Sequence, residues 1–434
     1  MTVPLFPWLK AGNTRLDMAE RHFLFVQTPF GSFPRHLAGR LRAEGHRVTR
    51  VIFNGGDLTS WGFAHAHFFL APVGRYEGWI ARLLEREAVT DIVTYGDGHY
   101  YTEVAIAQAQ QRGIATACLE QGYLRPNWIT LEPAGVNGSS SLPRDPAVYR
   151  RLGEALDELP GAHEMMGAIT RNNTLNILRY SLLFYFLAPL FPFYRSPVYM
   201  PGYVTGLAHL WRYYYGKTQT AKLERQEARI FALEQPYYLA LMQRPGDSQI
   251  VRHSPFTEVR DFYRHTIANF AKHADPTHHL VFKCHPLDQG LSGHPRGIRK
   301  AAVKAGVAER VHFIDGGALA DLVKQSAGVI TVNSTAGLAA LNFGAKCITL
   351  GKAVYDIPGL TYQGDLADFW ATEEAPDDEL YLRFRSLMAE MTQILGSYAT
   401  EKGIAYAVET CATRLIEGLP TIEGIEARRL AVAV

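Results

Sequence analysis

Gly328-Val329-Ile330-Thr331-Val332-Asn333-Ser334-Thr335-Ala336-Gly337 is the stretch that decides the fold. Its first half is apolar and β-branched, and reads as a fully buried strand. Its second half is small and polar, and reads as the turn into a helix. Two other apolar runs end in the same way. Tyr237 to Met242 leads to Asp247-Ser248-Gln249, and His279 to Phe282 leads to Lys283-Cys284-His285-Pro286. In an open α/β sheet, ligands bind beyond the carboxyl ends of the strands. Three polar motifs at three strand ends therefore predict one binding site, built from stretches far apart in the chain.

The same cadence recurs in the first half. Strands are expected at His22 to Gln27, Arg47 to Phe53, Asp91 to Thr94 and Ala115 to Leu119. Helical patterns fall at Arg35 to Glu44, Tyr76 to Glu87 and Glu103 to Arg112, which gives βαβ units and a parallel sheet. Pro133 to Ser141 reads as loop. Pro146 to Gln235 reads as mostly helical and aromatic. The strand cadence restarts at Tyr237 and runs to about Leu350, and residues 374 to 417 read as helical.

The expected architecture is α/β and GT-B-like: two doubly wound Rossmann-like domains with a helical linker region. The expected boundaries are 1–145 for an N-terminal Rossmann-like domain, 146–235 for a helical, aromatic-rich linker that could contact a membrane, 236–373 for a C-terminal Rossmann-like domain and 374–434 for C-terminal helices that pack back. Fold alone does not establish chemistry.

The chain has 434 residues, 47% hydrophobic, with 44 basic and 42 acidic side chains and a net charge of +2. That length exceeds one ordinary core. The charge balance offers no basic stripe for nucleic acid. Cys118, Cys284, Cys347 and Cys411 form no C-x-x-C spacing; three lie in apolar surroundings and read as core residues, and a reduced, cytoplasmic setting is the simplest reading. Met1 to Asp17 lacks the apolar core of a signal peptide. Ser181 to Phe193 is apolar but broken by Pro189 and Pro192, and falls short of the ~20 residues that span a bilayer. Tyr194, Tyr199, Tyr203, Trp211 and Tyr213 to Tyr215 follow, with Arg195, Arg212 and Lys217. Such a segment suits a membrane surface. A buried helix pair explains it equally well.

Each motif has a plain reading beside a functional one. Asn333, Ser334, Thr335 and Gly337 would expose helix-start N–H groups to a phosphate, or form an ordinary N-cap. Lys283 and His285 share one face of an extended segment and would balance charge on a departing phosphate; a structural histidine is the commoner case. Pro245-Gly246-Asp247 is good turn chemistry, while a carboxylate in that place would attack an anomeric carbon. Asp57, Asp97 and Glu120 lie at strand ends of the first half, where an acidic group would serve as general base; Asn-Gly and Asp-Gly also mark simple turns. No D-x-D or H-x-x-x-H stands where it would hold a metal.

Taken together these residues resemble the capsule polysaccharide biosynthesis/export family of Gram-negative bacteria. The resemblance is carried by Phe23 to Gln27, Gly45 to Val48, Phe53 to Asp57, Glu120-Gln121-Gly122-Tyr123-Leu124-Arg125-Pro126, Asp247-Ser248-Gln249 with His253-Ser254, Lys283 to Pro286, and Asn333 through Gly351. It is nearest to the family's single-module, first-acting β-Kdo transferases. It implies CMP-Kdo as donor, no cofactor, and retention of configuration. It implies a phosphatidylglycerol or lyso acceptor at the cytoplasmic face of the inner membrane, and a second Kdo transferase and the export machinery as partners.

By the same resemblance Asp247 is the nucleophile, and Ser248 and Gln249 belong to its loop. Lys283 and His285 stabilise the leaving CMP. Asn333, Ser334, Thr335 and Gly337 hold phosphate or the Kdo carboxylate. Glu120 activates the acceptor, with Gly122, Arg125, Asp57 and Asp97 lining its side. The loop Arg244-Pro245-Gly246-Asp247-Ser248 departs from that of the family's two-module relative. Two other readings stay open: a transferase using another CMP- or UDP-sugar, and a non-catalytic adaptor in capsule export.

Overall fold

The computed structural model describes residues 20–160, 171–195, 223–286, 288 and 292–432, with the side chains of 171–174, 177 and 432 left aside. Met1 to Asp17, read as lacking a signal peptide's apolar core, and the aromatic run from Tyr199 to Tyr215 lie outside the described residues. Twelve strands are seen among them: β1 His22–Val26, β2 Arg47–Ile52, β3 Ala66–Phe68, β4 Asp91–Tyr95, β5 Ala115–Gln121, β6 Trp128–Glu132, β7 Tyr237–Leu241, β8 His279–Lys283, β9 Val311–Ile314, β10 Gly328–Thr331, β11 Cys347–Thr349 and β12 Gln393–Leu395. They make two sheets, one in each of two compact units.

The first unit draws on the described residues of Met1–Leu142, Glu154–Pro197 and Arg385–Val434. Its sheet has the order β12-β6-β5-β4-β1-β2-β3. β1 to β5 are parallel, with Phe25 opposite Arg50 of β2 and Val93 of β4. Both faces of β1 are covered, which is why it is an unbroken apolar run and fully buried. Phe23, Phe25, Leu119 and Leu131 pack with Leu37 and Leu41 of the helix Phe33–Ala43 and with Cys411 and Leu415 of the helix Glu401–Glu417. Leu24, Val26 and Ile92 pack on the other face with Ile80, Leu83 and Ala105.

The second unit draws on the described residues of Pro143–Gly153 and Val198–Phe384. Its sheet is β11-β10-β7-β8-β9, parallel throughout. Numbered from the first strand of each unit, both sheets run 3-2-1-4-5 through their parallel strands, the Rossmann order. The two-sheet α/β composition expected of a GT-B-like chain is present.

Several boundaries differ from expectation. The expected linker, 146–235, is no body of its own. Its helix Pro146–Leu152, started by Asp145 accepting from Ala147 N (2.9 Å), belongs to the second unit. Its helix Arg171–Phe186 belongs to the first, and a helix over 223–231 to the second. The expected C-terminal helices, 374–434, include a strand. β12 pairs antiparallel with β6, and β6 with β5, so an antiparallel edge extends the parallel sheet. Gln393 anchors this edge, its Nε2 donating to Thr130 Oγ1 (3.0 Å) while Oε1 accepts from Tyr123 N (2.9 Å). The four cysteines are buried thiols, and none is in a disulfide.

Candidate functional site

In the second sheet the strand order reverses between β7 and β10, and that is where ligands are expected. Two side chains tie these strand ends together. Gln243, buried just past β7, donates from Nε2 to Asn333 Oδ1 (2.9 Å) and lies 3.4 Å from Asp247 Oδ2. Asn333, fully buried just past β10, donates from Nδ2 to the Gln249 carbonyl (2.9 Å). Gln243 Oε1 is buried with no hydrogen-bond partner. Asp247, Gln249 and Asn333, read separately from the sequence, thus form one network.

Asp247 is half-buried and opens the helix Ser248–His253. Gly246, with φ of +76°, turns the chain, and Asp247 Oδ1 accepts from Gln249 N (3.0 Å) as an N-cap. The turn reading and the functional reading therefore describe the same residue: one oxygen caps, the other reaches Gln243. Ser248 and Gln249 are also half-buried.

The helix start at Asn333-Ser334-Thr335-Ala336-Gly337 is tighter than the phosphate reading expects. Ser334 Oγ accepts from Ala336 N (3.2 Å), and the Gly337 and Leu338 amides bond back to the Ser334 and Thr335 carbonyls. Tyr355 donates its hydroxyl to the Ser334 carbonyl. That hydroxyl fills the space over Gly337, where any Cβ would collide with it. Gly337 is needed for this packing, and the helix it opens has only six residues. Thr335 is half-buried beside it.

Lys283 ends β8 and is almost fully buried. Burial lowers its pKa, against the pull of Cys284, Glu227 and Asp315. Glu227 bonds Ala318 N (2.8 Å) and Asp315 follows β9, so both lie on the β9 side of the sheet, away from the Asn333 loop. His285 is half-buried two residues on, and its carbonyl accepts from Asp288 N (2.9 Å).

In the first unit, Glu120 is half-buried at the end of β5. Its Oε1 accepts from Gln121 N (2.9 Å) and its Oε2 lies under Gly96. Gly122 has no room for a Cβ, which would strike the Trp128 carbonyl. Arg125 is exposed, its Nε donating to the Gly122 carbonyl (3.3 Å). Asp97 is buried, with Oδ2 taking a long bond from Val136 N (3.4 Å) and Oδ1 unpartnered.

Asp57, expected at the acceptor side, is committed elsewhere. It pairs with buried Arg50 (2.9 Å) and accepts from Phe53 N (3.0 Å) and Asn54 N (3.3 Å). A buried arginine requires such a partner. The neighbouring Gly55 and Gly56 seat the helix Arg171–Phe186: a Cβ at Gly56 would lie 2.6 Å from the Tyr180 ring, and one at Gly55 would strike the Leu183 carbonyl.

Sequence reasoning passed over Glu132. It is fully buried on β6 and accepts from Tyr123 Oη (2.5 Å), from Ser140 Oγ and from Ser141 N (3.3 Å). Burial raises its pKa to about 7, the three hydrogen bonds opposing and Asp97 adding to the rise. It thereby pins the Gly122-Tyr123 turn after Glu120 to the loop at Ser140. Alternation in Trp128-Ile129-Thr130-Leu131-Glu132 predicts a solvated polar face, whereas all five residues are buried, so the sequence carries no signal of this burial.

A model of the family described as capsule polysaccharide biosynthesis protein matches residues 90–398, a span that includes Asp97, Glu120, Asp247 and Asn333. The chain belongs to the capsule polysaccharide biosynthesis family. Within that family it is 32% identical over 386 residues to the capsule polysaccharide export protein KpsS of Escherichia coli, covering 88% of this chain and 97% of that protein. It is 30% identical to the capsule polysaccharide modification protein LipB of Neisseria meningitidis, covering 89% and 93%. Among solved structures it is similar to the β-Kdo 2,7 transferase of Thermosulfurimonas dismutans KpsC, at 12% identity and a TM-score of 0.40 over 92% of this chain and 99% of that one. A UDP-GlcNAc 2-epimerase from Methanocaldococcus jannaschii shows 13% identity and a TM-score of 0.28 over 92% and 100%.

Proposed function

We propose that this capsule-family protein is a retaining glycosyltransferase that moves Kdo from CMP-Kdo to a phosphatidylglycerol or lysophosphatidylglycerol acceptor, starting the lipid linker of a capsule. The observation that carries the reading is Asp247. It is a half-buried carboxylate at the switch point of a Rossmann-order sheet, oriented by Gln243 and by its own N-cap bond.

In this reading an Asp247 oxygen attacks the anomeric carbon of Kdo as the bond to the CMP phosphate breaks, and CMP leaves with the electron pair. His285 and Lys283 balance that charge, with Ser334 and Thr335 beside the phosphate or the Kdo carboxylate. The acceptor hydroxyl then attacks the same carbon, Glu120 takes its proton, and Asp247 is released. Two inversions give net retention. Arg125 would meet an acidic group of donor or lipid. No cofactor enters, and the work would be done at the cytoplasmic face of the inner membrane, beside a second Kdo transferase and the export machinery.

The test is mass spectrometry of a synthetic glycerophospholipid after incubation with CMP-Kdo. The expected result is one added Kdo residue and stoichiometric CMP. Transfer from a UDP-sugar alone would overturn the donor assignment. An Asp247→Ala protein that still supports capsule assembly would overturn catalysis altogether.

A further inference from the structure

The helix Arg171–Phe186 carries apolar residues on the side that faces water. Helical geometry sets Leu175, Leu178, Leu182 and Phe186 within an arc of about 80°, with Tyr185 and Arg179 at its edges. Leu178 is 64% exposed, Leu182 66% and Phe186 76%. Leu190 (62%) and Phe193 (50%) prolong the patch past the 3-10 turn Ala188–Leu190. The opposite side of the helix, with Tyr180, Leu183 and Leu187, is the one that sits on Gly55 and Gly56, and Phe30 meets the Tyr180 ring edge-on. A helix facing water on its outer side carries polar residues there. This one is apolar on both sides, so the buried-pair reading accounts for only one of them.

Charge selects the occupant. No Asp or Glu occurs from residue 165 to residue 223. Arg179 lies in the patch and Arg195 just beyond it, both exposed. An apolar face with cations and no carboxylates fits an anionic lipid surface. The helix has 16 residues, shorter than a bilayer span, and no helix among the described residues is long and apolar enough to cross a membrane.

We infer that the outer face of this helix, from Leu175 to Phe193, docks the protein in the plane of an anionic bilayer, the leucines and phenylalanines entering the acyl boundary and Arg179 and Arg195 meeting the headgroups. This goes beyond the catalytic reading, since docking is independent of whether sugar is transferred.

Flotation of the full chain with vesicles of pure phosphatidylglycerol or pure phosphatidylcholine tests it. The protein should float with phosphatidylglycerol, less so at high salt, and far less with phosphatidylcholine. The double variant Leu178→Glu/Leu182→Glu should lose on the order of a hundredfold in partitioning, and melt like the parent because both positions are exposed. Its transfer to a short-chain, water-soluble acceptor should equal the parent's, while transfer to vesicle-borne acceptor falls. A parent that stays unbound with both vesicles overturns the proposal, as does a double variant that floats equally well. A vesicle-free parent dimer that the variant abolishes would assign the face to a second copy instead, and overturns it too. A protein that floats but transfers nothing leaves docking standing and removes the proposed reaction.

Discussion

Replacing Glu132 by Gln should stabilise the first unit, and only above acidic pH. The carboxyl is fully buried and its pKa is raised from 4.5 to about 7 by burial. The folded protein therefore holds this proton at pH values where the unfolded chain has released it. The sign follows from linkage: stability falls as pH rises from about 4.5 to about 7, and the loss is complete above that window. The gap corresponds to roughly 3 kcal/mol. Gln reproduces the protonated form. Its carbonyl accepts from Tyr123 Oη, and its amide donates to Ser140 Oγ, where a protonated Glu132 would donate. Only the long contact from Ser141 N (3.3 Å) is lost. Parent and Glu132→Gln should melt alike near pH 4.5 and separate by about 5–10 °C above pH 7, the variant higher. Calorimetry across this range reads the difference directly, and the other ionisable side chains are common to both proteins. Parallel melting curves at every pH would refute the reasoning.

Asp57→Ala strands the Arg50 guanidinium in the first unit and should cost about 3–5 kcal/mol, read as a large fall in melting temperature. Asn333→Ala removes the hydrogen bonds to Gln243 Nε2 and the Gln249 carbonyl; a loss of about 2–4 kcal/mol in urea unfolding of the second unit is expected. Gly337→Ala drives a methyl into the Tyr355 hydroxyl and should cost about 1–3 kcal/mol, with partial recovery on adding Tyr355→Phe; an unchanged melt would show that the contact yields freely. Asp247→Asn keeps an N-cap, so its melt should stay within about 0.5 kcal/mol of the parent, while transfer from CMP-Kdo drops by about a thousandfold or more.

The strands with both faces covered were legible because continuous apolar runs are what such burial requires. β1, β7, β8 and β10 fall within a residue of the expected spans. The antiparallel edge was not legible. β12 has three residues inside a helical pattern, and its place depends on Gln393 bonding Thr130 and Tyr123, more than two hundred and fifty positions away. Periodicity cannot register such a strand. At the site, Asp247, Gln249 and Asn333 were found from their position after strands, yet Gln243, which joins two of them, looked like the polar end of an apolar run. Asp57 was misplaced for the converse reason. A carboxylate after a strand looks the same whether it faces a ligand or a buried arginine, and Arg50 lies on the strand itself. Only side-chain direction separates the two.

The detour of the chain between its first sheet and the strand that finishes it has a consequence for synthesis. As the polypeptide leaves the ribosome, β1 to β6 emerge early but lack β12 and the helix Glu401–Glu417 that covers Phe23 and Phe25. Every strand of the second sheet has been translated before β12 appears. Maturation therefore runs against the direction of translation: the later-made sheet can settle first, and the earlier one waits with an open edge until β12 and the helix Glu401–Glu417 have been made.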